Sequence, residues 1–112
     1  MTPEGVVLSQ IMDYLAAKHI LAFRMNTGAV KVDTRFFKFG VPGMADVLSF
    51  PLQFRKCDCF DSTTEMTFIR PCWIECKAPE GKQSNLQRSF QELVESHGHK
   101  YVLAKSVDDL GF

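Results

Sequence analysis

Several things are scarce in this chain, and each scarcity narrows what it can be. Its 112 residues carry no net charge, thirteen Lys and Arg balancing thirteen Asp and Glu, which argues against strong, indiscriminate binding to polyanions. Membrane-length apolar runs are missing, and Glu4 and Asp13 interrupt the N-terminal region where a secretory leader would need an apolar core; a cytoplasmic protein is the expectation. Length is short too, enough for one domain over 1–112 with a single core. Regular zinc-knuckle spacing is also incomplete: Cys57-x-Cys59 is tighter than the usual C-x2-C to C-x4-C. A four-thiolate site with Cys72 and Cys76 stays open, but reduced core thiols are the preferred reading.

Apolar residues are plentiful, at 46% with ten Phe, so a packed core is expected and disorder is not. Charge is uneven despite its zero sum. Lys18, Arg24, Lys31, Arg35 and Lys38 stand against the single acid Asp33 in that part of the chain.

Thr2-Pro3-Glu4 supplies an N-cap hydroxyl, a proline at the first helical position and an acid in the first turn. Val7, Ile11 and Leu15, flanked by Leu8 and Met12, continue it as an amphipathic helix, with His19 at its end. Residues 20–26 read as a short strand, Thr27-Gly28 as a turn, and 30–39 as the return strand of a hairpin. A tight turn at Gly40-Val41-Pro42-Gly43 delivers a strand over 44–50, which Pro51 ends or edges. Polar residues 55–64 read as a lengthened hairpin loop, and 67–77 as the partner strand. Ser84 and Gln87 form a capping box for a helix whose buried stripe is expected to be Leu86, Phe90, Leu93 and Val94; Gly98 stops it. The wholly apolar Tyr101-Val102-Leu103-Ala104 suits a central parallel strand covered on both faces, and Ser106 caps a last turn. Mixed-sheet α/β architecture follows, with a crossover through the second helix.

The chemistry is concentrated in 40–77. Side chains two apart on a strand share a face, so Glu75 and Lys77 point one way while Cys72, Ile74 and Cys76 point into the core. If Asp46 opens the neighbouring strand, its carboxylate meets that of Glu75 around one hard cation, for which oxygen ligands suit Mg2+ or Mn2+. Lys77 would stand beside it. Gly40 and Gly43 are expected to let a bulky ligand approach the backbone there. The unremarkable reading of the same residues is a surface ion pair on an exposed strand face.

With Glu4, Gly43-x-x-Asp46, Glu75-x-Lys77 and Gln87 in this order, the chain resembles the PD-(D/E)XK nuclease superfamily. It is most similar there to small stand-alone phage members of the virus-type replication-repair nuclease (VRR-NUC) family. Phe23-Arg24-x-Asn26-x-Gly28, Gly40-x-Pro42-Gly43-x-Ala45-Asp46, Ile74-Glu75-Cys76-Lys77 and Gly81-Lys82-Gln83-Ser84-x-x-Gln87 extend the likeness over nearly the whole chain. The resemblance implies a restriction-endonuclease-like α/β fold, a mixed central sheet flanked by helices, and a Mg2+- or Mn2+-dependent endonuclease cutting DNA phosphodiesters. Asp46 and Glu75 match the metal-binding acids, with the main-chain carbonyl of Cys76 as a further ligand. Lys77 matches the catalytic lysine, and Glu4 the helical acid that supports or joins the ligand set. Gln87 matches a glutamine that orients the lysine or touches the phosphate, a role expected to exclude simultaneous capping by the same side chain. Arg24, Asn26, Lys31, Arg35 and Lys82 are the expected DNA contacts. Small family members look like homodimers acting on branched DNA such as four-way (Holliday) junctions, without organic cofactor or membrane, in the host cytoplasm if phage-encoded. Residues 55–64, with Cys57-x-Cys59, depart from the pattern and bear on substrate choice. A non-catalytic DNA-binding or regulatory module on the same fold is the alternative; a zinc-stabilised interaction domain is a third.

Overall fold

The computed structural model describes the backbone of residues 2–25, 28–32, 35–39, 41–56 and 65–112, and the side chains of 2–25, 41–54 and 66–112. Helix α1 (Pro3–Ala17) starts as its sequence dictates: Thr2 Oγ1 accepts the Gly5 amide at 3.0 Å. It ends with His19 in the left-handed region at φ 58, its amide donating to the Ala16 carbonyl, which satisfies a helix-end acceptor. Four strands form the central sheet in the order β1 (Leu21–Arg24), β4 (Val47–Phe50), β7 (Cys72–Cys76), β8 (Lys100–Ala104). β1 to β4 and β4 to β7 are antiparallel, β7 to β8 parallel through helix α2 (Asn85–Ser96). The architecture is mixed α/β.

Strand alternation separates two cores. Val47, Cys72, Ile74, Cys76 and Ala104 pack with Val7, Ile11 and Leu15 of α1 and with Leu110 of a closing 3-10 turn, Val107–Leu110. Trp73 and Tyr101, on the other face, join Ala45 and the Phe90 and Val94 side chains of α2; the Trp73 and Phe90 rings meet edge to face at 4.9 Å. Each fully buried aliphatic or aromatic side chain contributes roughly 1.5–3 kcal/mol, so a few such contacts suffice to seat a 12-residue helix.

Four expectations need correction. Residues 20–39 do not make one hairpin: β1 pairs with β4, while β2 (Gly28–Val32) and β3 (Arg35–Phe39) pair with each other, Val32 opposite Arg35. The expected strand over 67–77 is interrupted, and a further strand follows Pro51, leaving β5 (Leu52–Lys56) and β6 (Glu65–Ile69) as a separate two-stranded ribbon, while β4 ends at Phe50 as expected. Pro51 and Pro71 sit at the two breaks, nearly opposite each other between the Ser49–Cys72 and Leu52–Ile69 pairs; neither can donate to a ladder. Leu86 and Leu93 are 59% and 53% exposed, because the apolar side chains that α2 buries against the sheet are Phe90 and Val94. Strand β8 lies at the sheet edge, not its centre, its apolar character explained by α2 on one face and the 3-10 turn near the other.

Among the described residues no helix is long and apolar enough to cross a membrane. Gly43 has a different use from the one its sequence suggested. Its φ is +80, and a Cβ there would meet the carbonyl carbon and oxygen of Leu86 at 2.4 Å and the Gln87 amide nitrogen at 2.8 Å, so the space above it is taken by the first turn of α2 and not by a ligand. Gly98, at φ +84, faces nothing within 4 Å. Gly98→Ala is therefore expected to cost only the left-handed backbone penalty, about 1–2 kcal/mol. Gly43→Ala adds the displacement of a helix, roughly 1–3 kcal/mol more, measurable as a lower midpoint in denaturant unfolding; equal midpoints would contradict the close approach.

Candidate metal centre

Three elements end at the same place. β4 and β7 run antiparallel with Val47 opposite Ile74, which sets Asp46, one residue before β4, beside Glu75 near the end of β7. The contact is pinned by main chain: the Cys76 amide donates to Asp46 Oδ2 at 2.8 Å, and the Met25 amide to the Asp46 carbonyl at 2.7 Å. Glu4, in the first turn of α1, completes a group of carboxylates whose ligand atoms all lie within 4.8 Å of one another. Glu4 is exposed, Asp46 half-buried, and Glu75 only 2% exposed. The first turns of both helices lie at this group, α1 supplying Glu4 and α2 the Gln87 side chain.

Glu75 is the unusual member. Its Oε1 accepts the Gln87 side-chain amide at 3.0 Å, while its Oε2 is buried and has no hydrogen-bond partner. Buried polar atoms without partners are rare and cost about 1–3 kcal/mol, more when charged. Burial first, then the neighbouring Asp46 carboxylate, push Glu75 up from an ordinary 4.5 to about 8; Lys77 opposes the rise and Glu4 adds to it. A positive ion among these oxygens would relieve both burdens at once. The donor set, three carboxylates with one buried oxygen unclaimed, fits a hard divalent cation such as Mg2+ or Mn2+.

No family model, curated protein or solved structure matches the chain. The site is accordingly read from its own geometry.

Of the residues singled out from sequence, Glu4, Asp46, Glu75 and Gln87 come together. Lys77 continues the Glu75 face of β7, half-buried, its amide held by the Ala104 carbonyl at 2.9 Å. Gln87 keeps its capping bond, its side-chain oxygen accepting the Ser84 amide at 2.8 Å, while its nitrogen donates to Glu75, a partner other than the lysine or phosphate that the resemblance implies. Arg24 is exposed at the end of β1 and lines a groove of about 330 Å³ with Gly5, Leu8, Ser9, Met12 and Asp13, next to Glu4 along α1. Lys82 is exposed in the segment before α2. Asn26 and the side chains of Lys31 and Arg35 lie outside the described residues, as do Cys57 and Cys59. Cys72 and Cys76 are free, fully buried thiols, and burial with the nearby acids drives Cys76 up to about 12; both are core.

Tyr101 escaped the sequence reading. It lies on the Glu75 face of the sheet, opposite Trp73, and its hydroxyl accepts from Gln83, which also bonds Gln91. Burial raises it to about 12, with Glu75 and Asp46 contributing. The signal was the parallel register, which the sequence does not print.

A carboxyl whose folded value is raised favours the folded state most below its unfolded value and loses that contribution as pH climbs through the folded one. The metal-free protein should therefore melt at progressively lower temperature between about pH 4.5 and about pH 8. Subtracting the profile of Glu75→Gln isolates the effect; parallel profiles for the two proteins would refute it.

Proposed function

We propose that this chain is a metal-dependent endodeoxyribonuclease of the VRR-NUC type, built on a PD-(D/E)XK fold and acting as a homodimer on branched DNA such as four-way junctions. The observation that carries the reading is the buried, unpartnered Oε2 of Glu75 within the Glu4, Asp46 and Glu75 group, with Lys77 on the same strand face.

Asp46 and Glu75 would hold Mg2+ or Mn2+, with Glu4 and the Cys76 carbonyl completing the set. Such an ion lowers the pKa of water to produce a nucleophile and polarises the scissile phosphate. The chain's own residues then have distinct tasks. Lys77, a compact cation with rotatable donors, orients the attacking water and offsets charge gathering on the phosphate oxygens. The Cys76 amide keeps Asp46 Oδ2 in place, so the carboxylate need not reorganise during the reaction. Arg24 and Lys82, both exposed cations, bind flanking phosphates; Asn26, Lys31 and Arg35 share that task. A junction carries two equivalent strands to be cut, and a two-fold dimer presents two equivalent sites to them. The neutral total charge fits recognition of a shaped substrate better than tight binding to any duplex, with a shallow dependence of affinity on salt.

Labelled four-way junction, flap and linear duplex, incubated with Mg2+, Mn2+ or EDTA, test this directly. Cleavage is expected only with metal and highest on the junction. Lys77→Ala should cut about 10²–10⁴-fold more slowly while binding Mn2+ as wild type does, and Asp46→Asn should lose both. Binding of junctions by wild type without cleavage under any metal condition would instead leave a non-catalytic DNA-binding module.

A further inference from the structure

The Gln87 amide cannot be turned around. Its oxygen accepts the Ser84 main-chain N–H at 2.8 Å, so flipping would set an NH2 against that N–H and a carbonyl oxygen against the Glu75 carboxylate. Its main-chain amide in turn donates to Ser84 Oγ at 3.2 Å, closing the capping box. The nitrogen is thereby fixed on Glu75 Oε1 at 3.0 Å, while Oε2 of the same carboxylate accepts nothing. The same helical turn touches the other ligand segment as well, for Gly43, three residues before Asp46, lies against the backbone of Leu86 and Gln87 with no room for a Cβ.

The geometry points to Gln87 as a positioning residue that sets how Glu75 meets a cation, and so which cation the site accepts. By donating to Oε1, Gln87 occupies one of that oxygen's lone pairs and holds the carboxylate so that Oε2 is its freer oxygen. One-oxygen carboxylate ligation suits Mg2+ and Mn2+, which prefer six ligands in octahedral array, whereas Ca2+ takes six to eight and readily uses both oxygens of one carboxylate. Gln87 in this role discriminates against Ca2+ by competing for Oε1 and so disfavouring ligation through both oxygens. The inference rests on the reading of this group as a metal site. It differs from a role towards Lys77 or the phosphate, since the bond is to a ligand.

Calorimetric titration of the metal-free protein with Mn2+ and with Ca2+ tests it. Wild type is expected to favour Mn2+, and Gln87→Leu, which frees Oε1, to narrow the Mn2+-to-Ca2+ affinity ratio roughly 10-fold, the scale on which a partner of a ligand normally acts. Ser84→Ala removes the hydroxyl cap but keeps the main-chain N–H that orients Gln87; it should lower thermal stability and leave the ratio unchanged. Equal ratios in wild type and Gln87→Leu would overturn the role of Gln87 while preserving the site. Failure of wild type to bind either ion would overturn the metal-site reading and this inference with it. Should Gln87→Leu not fold, nitrogen-15 spectra of the wild-type Gln87 side-chain amide decide. Its protons should stay protected from exchange when Mg2+ saturates the protein, and loss of that protection would show that the amide gives up Glu75.

Discussion

Everything at this end of the molecule depends on one hydrogen bond, from the Cys76 amide to Asp46 Oδ2. It stands where the ladder between β4 and β7 would otherwise run out, one residue beyond the Val47–Ile74 pair. A side chain substitutes for main chain there, so Asp46 extends the sheet by one bond and is fixed in register by it. Charge-assisted bonds of this kind are shorter and stronger than neutral ones. The other Asp46 oxygen is thereby aimed at a defined place relative to Glu75, which leaves β7 one residue earlier on the same side.

From that anchor the helices follow. Each buries its apolar stripe on a different face of the sheet, and each begins at the end where β4 starts and β7 finishes. Thr2 caps α1 just ahead of Glu4, and Ser84 caps α2 just ahead of Gln87. Both caps do more than satisfy helix amides, because they fix the phase of a first turn whose next polar residue faces the carboxylates. Stability and site geometry are held by the same few bonds.

How much of this was legible in sequence varied with how local the determinant is. The start of α1, the Ser84–Gln87 box and the burial of Cys72, Ile74 and Cys76 on one face of β7 all follow from spacing within a few residues, and all are present, whereas the face expected to be polar is itself covered by α2. Pairing partners were less accessible. Residues 20–39 contain three strands' worth of β-forming sequence, yet nothing local says that Leu21 lies opposite Phe50. Pro51 and Pro71 were visible individually, but their joint effect, detaching β5 and β6 from the sheet, appears only when the two strands are laid side by side. The bond from Gln87 to Glu75 was not legible either, because it depends on where the first turn of α2 lands on the sheet; the oxygen of the amide caps Ser84 while its nitrogen reaches the carboxylate.

Cys76 and Glu75 give the sharpest contrast on β7. Adjacent in sequence and both buried, they face opposite layers. The thiol is content among Ile74, Val47 and Leu110, since a cysteine behaves there as a small hydrophobe. The carboxylate has one donor for two oxygens and another acid for a neighbour. Its unclaimed oxygen costs about 1–3 kcal/mol or more, well above the 0–1 kcal/mol that a surface ion pair returns, so no exposed charge nearby offsets it. Glu75 is thus held in an unfavourable place by its neighbours, with the Gln87 amide fixing one of its oxygens and the register of β4 against β7 setting the pinned Asp46 carboxylate beside the other.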